Sequence, residues 1–169
     1  MARVELRDIV TEDDVEAVMG LRRAPGQERY LGSMISHFED AVRYPQACPR
    51  MWSVHDQATG QLVGFVMISD NVSPEVLEAE RDIIVGPYFL WRLLIDRRFQ
   101  GQGYGSATLD AVVAYLATRP AADALYTSNV PGDGSPLPFY LRYGFELTDR
   151  IADGEQVLRL DLGSRGGQV

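Results

Sequence analysis

The chain of 169 residues is 46% hydrophobic and 24% charged, enough for one globular domain with its own core, and no apolar run nears the roughly 20 residues of a membrane span. A formal net charge of -8 and a pI near 4.7 exclude the basic face of a nucleic-acid binder and suit a small cationic partner. One cysteine, Cys48, and two histidines, His37 and His55, exclude a disulfide framework and a multi-cysteine metal site, so no metal is expected.

The opening "MARVELRDIVTEDD" has no apolar core of the signal-peptide kind, and a cytoplasmic location is expected. Within it "RVELRDI" alternates like a strand. Thr11 then opens the helix "TEDDVEAVMGLRR", with acids in the first turn, where the helix dipole favours them. After Pro25-Gly26, "QERYLGSMISHFEDAVRY" carries one or two further helices ended by Pro45. "RMWSVHD" and "QLVGFVMISD" alternate around "QATG" as a hairpin. Residues 71–85, "NVSPEVLEAERDIIV", form a polar, acidic connection with one helical turn. Tyr88 to Asp96, "YFLWRLLID", is a nearly continuous apolar run, the pattern of a buried central strand. A helix follows from about Tyr104 to Thr118, with Leu109, Val112, Val113 and Leu116 on one face. "ALYTSNV" is a short strand, "PGDGSP" a turn and "LPFYLRYGF" a short helix closed by Gly144. "FELTDRI" and "EQVLRLDL" form a last hairpin through "ADG". With no repeat or linker, a single domain over residues 1–163 is expected, followed by a disordered tail, 164–169.

Three glycines at alternate positions, Gly101, Gly103 and Gly105, separate the apolar strand from its helix. Each weakens a helix by about 1 kcal/mol against alanine, so the bare backbone serves something else. Without Cβ atoms, loop N–H groups approach a ligand closely, and the first helical turn adds unpaired N–H groups at its positive end. Together they suit a phosphate or pyrophosphate. A dinucleotide fingerprint is excluded because its third glycine position falls on Ser106, and a P-loop because its spacing and lysine are missing.

"QGQGYG", Gln100 to Gly105, resembles the Q/R-x-x-G-x-G/A motif of the GCN5-related N-acetyltransferases (GNAT). "FYLRYGF", Phe139 to Phe145, resembles that family's Y-x-x-x-G-F helix, with Tyr140 at the tyrosine position. The likeness is strongest from Tyr88 to Phe145, where the sequence is also similar to the bacterial diamine and spermidine/spermine acetyltransferase branch. It implies an α/β (α+β) fold: a mixed, mostly antiparallel central sheet flanked by helices, with a V-shaped splay between the strand 86–96 and the strand 124–130. It implies transfer of an acetyl group from acetyl-CoA, by direct attack, to a primary amine of a small molecule, a diamine or polyamine before others. Another amine (an antibiotic, an amino acid, a protein N-terminus or lysine) and a non-catalytic acetyl-CoA sensor are the alternatives. A homodimer through the C-terminal strands is expected by the same analogy.

The resemblance also implies roles. The N–H groups of Gln102, Gly103, Tyr104 and Gly105, with Ser106 and Ala107 behind them and Gln100 and Gly101 before, cradle the pyrophosphate. The strand edge at Leu93, Leu94 and Ile95 pairs with the pantetheine amides, and the N–H of Leu94 or Ile95 polarises the thioester carbonyl. Asp133 stands at the position of a family asparagine beside the cofactor. Tyr140 is the general acid for the departing thiolate. A primary amine of pKa near 10.4 is almost wholly protonated at pH 7, so a base is also needed. Phe89 stands where many members carry a glutamate, leaving Glu28, His37, Glu80 and Asp82 as candidates for the base and for contacts to the amine. Glu75, Glu78, Glu80 and Asp82 could form an acidic rim, with a solvated loop as the alternative for Glu75 and Glu78. Arg97, Arg98 and Arg142 could reach phosphate oxygens.

Overall fold

In the computed structural model, which describes residues 1–163, alternating apolar residues pair β1 (Val4–Asp8), β2 (Pro49–Asp56), β3 (Leu62–Asp70) and β4 (Tyr88–Ile95) as an antiparallel run. β5 (Ala124–Asn129) joins β4 in parallel, and the C-terminal hairpin of β6 (Glu146–Ala152) and β7 (Glu155–Asp161) completes a seven-stranded sheet ordered β1-β2-β3-β4-β5-β7-β6. The expected tail lies outside the described residues.

Helices cover both faces. α1 (Glu12–Met19) begins with a reciprocal cap: Asp14 N donates to Thr11 Oγ1 at 3.1 Å, and Thr11 N to the Asp14 carboxylate at 2.9 Å. The segment after Pro25-Gly26 holds a short 3-10 turn, Gln27–Arg29, and α2 (Met34–Arg43); Pro45 starts another such turn. α1 and α2 pack Val18 and Met34 on Phe65, Met67 and Leu94. The acidic connection contains α3 (Pro74–Ala79), with Val72 and Ile84 buried against Ala47. On the other face α4 (Tyr104–Leu116) sinks Leu109, Val112 and Leu116 onto Val66, Ile68 and Leu90, with Val113 at the margin. α5 (Leu137–Tyr143) lies beside it and ends at Gly144, φ +119°, the left-handed residue expected at a C-cap. Among the described residues no helix is long and apolar enough to cross a membrane.

β4 is central, as its apolar run predicts, but only three of its eight residues are buried. Tyr88, Leu90 and Leu94 are enclosed, whereas Phe89, Trp91, Arg92, Leu93 and Ile95 are partly exposed. The reason is topological. β5 pairs with β4 at Phe89–Tyr126 and Leu90–Thr127 and then leaves it, the splay of the expected V. A bulge accompanies the parting: Met67 faces Arg92 and Ile68 faces Leu90, so Trp91 is the extra residue. Among the described residues, the side of β4 turned toward β5 has no strand partner past Leu90.

The end of β4 is fastened by Asp96, whose side chain is buried. Its carboxylate accepts the backbone N–H of Arg22 at 3.0 Å and of Arg98 at 2.9 Å, and the Arg98 guanidinium at 2.8 and 3.1 Å. Burial alone would raise its pKa, but these donors prevail and hold it below the ordinary 3.8. Since the folded value is depressed, the stabilisation is full above the unfolded carboxylate range and is lost as pH falls through the folded value. Asp96→Ala should lose about 3 kcal/mol in urea unfolding at pH 7. Its deficit should shrink below pH 4; an undiminished deficit there would mean lost packing rather than lost charge.

Candidate active site

After Asp96 the chain turns through Gly101 and Gly103, whose φ values of +72° and +88° lie in the left-handed region. Gly103 caps α4 without a side chain, and the N–H groups of the next turn have no intrahelical acceptor. A Cβ at Gly101 would meet no atom within 4 Å, so the loop backbone is open to a ligand. Gly105 differs: its backbone is helical, and a Cβ there would lie 3.2 Å from two ring carbons of Phe139. The third glycine lets α5 approach α4 and does not open the loop.

The polar side chains of "QGQGYG" brace this loop. Gln100 Nε2 donates to Ile95 O at 2.9 Å and to Gln27 Oε1 at 3.0 Å, Gln102 Nε2 to Arg98 O at 3.1 Å, and the Tyr104 hydroxyl to Asp56 at 2.9 Å. A cleft of about 510 Å³ runs from the loop toward α5. Leu93, Ile95, Gln100, Gly101, Gly103, Tyr104, Gly105, Ser106 and Tyr140 line it, with Arg142 at its side. Leu94 points to the opposite face beneath α1 and α2, and its carbonyl is turned toward Gly64 of β3, so the open edge is carried by Leu93 and Ile95.

Tyr140 projects inward from α5 and is 8% exposed. Its ring stands edge-on to Phe145 at 5.3 Å and tilts against Phe139 at 5.4 Å. On neighbouring β5, Thr127 Oγ1 donates to Leu90 O at 3.1 Å, at the last β4–β5 pair. Burial pushes the phenol up to about 12, against the opposing pull of Thr127 and Arg92, so it holds its proton at neutral pH. Tyr143, three residues on, instead donates to Asp110 at 2.8 Å across to α4.

On the face that carries α1, α2 and α3 lies a second cleft of about 290 Å³, floored by Phe89, Trp91 and Arg92 and walled by Ser128 and Glu155. Asp40, Glu80 and Asp153 complete four carboxylates against the one guanidinium of Arg92. Arg92 donates to Asp40 at 3.2 Å, to Trp91 O at 2.8 Å and to His37 Nδ1 at 3.0 Å.

The sequence profile of the Acetyltransferase (GNAT) family matches residues 15–145. This chain belongs to the GNAT acetyltransferase family. It is 30% identical over 154 residues to the spermine/spermidine N(1)-acetyltransferase of Bacillus subtilis (strain 168), covering 90% of this chain and 95% of that one. Its fold matches a chimera of the Vibrio cholerae spermidine N-acetyltransferase SpeG and hSSAT, with a TM-score of 0.60, 15% identity and coverage of 98% and 99%. It also matches AtaTR bound with AcCoA, with a TM-score of 0.58, 15% identity and coverage of 96% and 95%. The mixed, mostly antiparallel sheet is thus the GNAT fold, and the chain is an acyltransferase of that family.

In this GNAT domain the residues singled out from sequence fall into separate places. Gln102 and Asp133 are exposed and outside the glycine cleft's lining; the Asp133 carbonyl accepts the Tyr30 hydroxyl at 2.6 Å, tying the β5–α5 connection to the α1–α2 connection. Asn129, four residues before it, is buried, with Oδ1 accepting Ser135 Oγ at 2.6 Å and Nδ2 unpartnered. Of the four candidates for the amine, Glu80 lines the acidic cleft and the others do not. Glu28 is exposed and accepts Gly26 N at 2.9 Å, and Asp82 is exposed with its carbonyl taking Asp153 N at 3.1 Å. His37 is fully enclosed and stacks on Phe65 at 5.9 Å; burial first, then Arg92 and Arg23, lower its pKa to about 4, so it is neutral. Arg98 is engaged by Asp96 rather than turned toward a ligand, and Arg97 is exposed. Glu78 pairs with Arg81 on the surface at 3.7 Å. Gln27, Phe99, Pro136 and Phe139 of the glycine cleft and Asp40 and Glu155 of the acidic one went unread. Asp40 sits inside an ordinary amphipathic helix, and Glu155 reaches the cleft only through the sheet order.

The two kinds of glycine should separate in denaturant unfolding. Gly103→Ala should cost about 1 kcal/mol for its left-handed backbone. Gly105→Val, which must displace the Phe139 ring, should cost about 2 kcal/mol; equal losses would argue against the packing role of Gly105.

Proposed function

We propose that the protein transfers an acetyl group from acetyl-CoA to a primary amine of a small cationic molecule, a diamine or polyamine before other amines, in the cytoplasm. One observation carries this: the gap between β4 and β5 has a glycine-lined cleft on one side, a carboxylate-lined cleft on the other, and the buried Tyr140 phenol beside it. The open backbone at Gly101 and the unpaired first turn of α4 fit a pyrophosphate. Acetyl-CoA, when bound, supplies the acetyl thioester and a thiolate leaving group.

The N–H groups of Gln102, Gly103, Tyr104, Gly105 and Ser106 receive the diphosphate charge, and the free edge of β4 at Leu93 to Ile95 pairs with the amides of the cofactor arm. Of the two donors expected there, the N–H of Ile95 polarises the thioester carbonyl, because the backbone of Leu94 faces β3. Tyr140, protonated until about pH 12, gives its proton to the leaving sulfur. The acidic cleft draws in the cationic acceptor, and its surplus of carboxylates favours a molecule with more than one ammonium. The likeness to a spermine/spermidine N(1)-acetyltransferase at 30% identity supports the same class.

Thiol release from acetyl-CoA across putrescine, spermidine, spermine, lysine, an aminoglycoside and a lysine-bearing peptide tests this. Turnover at least tenfold faster with the polyamines is expected; turnover confined to another amine would remove the polyamine assignment. Absence of acetyl-CoA binding in calorimetry would remove acetyl transfer altogether. Tyr140→Phe should lower kcat about 100-fold with the acetyl-CoA Kd unchanged. The wild type should show no alkaline loss from the phenol up to pH 10, because the raised pKa keeps the acid form present.

A further inference from the structure

We infer that Glu155 is the catalytic base that takes the proton from the acceptor ammonium, with Ser128 as its positioning residue; the inference rests on the acetyl transfer proposed above. β4, where a carboxylate would face the acceptor directly, offers Phe89. The carboxylates around the same cleft are not equivalent. Asp40 is engaged by Arg92, Glu80 sits at the C-terminal cap of α3, and Asp153 lies in the exposed β6–β7 turn. Glu155, the first residue of β7, is half-buried, and Ser128 Oγ donates to its Oε2. Of the four it is the one carried on a strand of the sheet and held by an uncharged donor, which leaves its negative charge for the acceptor.

The strand geometry joins it to the phenol. Thr127 and Ser128 are consecutive in β5, so their side chains leave opposite faces. Thr127 shares the face of Leu125, which packs in the core with Leu109 and Tyr140 on the α4–α5 side, and Ser128 meets Glu155 on the α1–α2 side. Ser128 is also the first β5 residue past the last pair with β4, Leu90–Thr127, where the gap opens. An amine entering from the acidic cleft therefore passes Glu155 before it reaches the Tyr140 side.

The protons balance. Glu155 takes one proton from the ammonium and passes it to solvent. The freed nitrogen lone pair forms the C–N bond, the C–S bond breaks, and the sulfur takes the Tyr140 proton. The second nitrogen proton, lost as the amide forms, replaces the one the phenol gave. The products are amide, thiol and one released proton. Asp40, Glu80 and Asp153, with Arg92 among them, are the other charged groups facing Glu155 across the cleft, and they set its local potential without taking the proton.

The test is kcat against pH, with a diamine acceptor and saturating acetyl-CoA, for wild type, Glu155→Gln and Ser128→Ala. Glu155→Gln should lose about 100-fold at pH 7 and recover as pH approaches the amine's own pKa, with the acetyl-CoA Kd unchanged. Ser128→Ala, which keeps every charge, should lose about 5- to 10-fold and move the acid limb of the profile. An unaltered kcat in Glu155→Gln, or a raised KM with an unchanged pH profile, would overturn the base role while leaving acetyl transfer intact. Wild-type inactivity toward every amine would instead overturn the function beneath it.

Discussion

The parting of β4 from β5 after two register pairs is the constraint from which both clefts follow. A sheet that stayed closed would satisfy its backbone groups strand to strand and leave no room between Leu90 and the glycine loop. The bulge at Trp91 turns β4 out of register, and Tyr140 of α5 and Phe145 just past its cap pack into the core beside β5. Thr127 Oγ1, bonded to Leu90 O, ties the two strands where they separate. The open edge keeps backbone donors and acceptors, each worth about 1 kcal/mol once paired. An extended ligand that completes the ladder gains that energy.

Such a gap works only if its margins are rigid. Asp96 supplies one margin by joining the end of β4, the start of the glycine loop and the α1–α2 connection through a single buried carboxylate. Gln100 adds a second tie from the loop to Ile95 and Gln27. The loop therefore presents its backbone while its side chains are occupied in holding it, a division of labour suited to binding a charge by main-chain dipoles.

Much of this was legible in the chain. The strands, the helix start at Thr11 with its acidic first turn, the hairpins and the Gly144 stop were marked by local chemistry that tertiary packing did not override. Spacing to Gly144-Phe145 separated Tyr140 from Tyr143, and the structure sends one inward and the other to Asp110. The half-exposure of β4 was not legible, because an apolar run looks the same whether it meets a neighbouring strand or a cleft. The acidic residues were the hardest. Glu75 to Asp82 stood out as a cluster, yet of these only Glu80 enters the cleft. Glu155 stands 27 residues from Ser128 and meets it because β7 is inserted between β5 and β6. His37 gave no sign in the sequence that its helix would turn it into the core.

The alternation along β5 has a consequence for how such a chain can change. Thr127 and Ser128 serve opposite faces, and a slip of one residue would exchange them, turning each side chain away from its partner. A single insertion or deletion within β5 would thus undo both contacts at once, even if every residue type were kept. Substitution can proceed gradually in this strand, whereas its length is held fixed. Length variation is left to connections such as residues 71–85, where added or lost residues shift no strand.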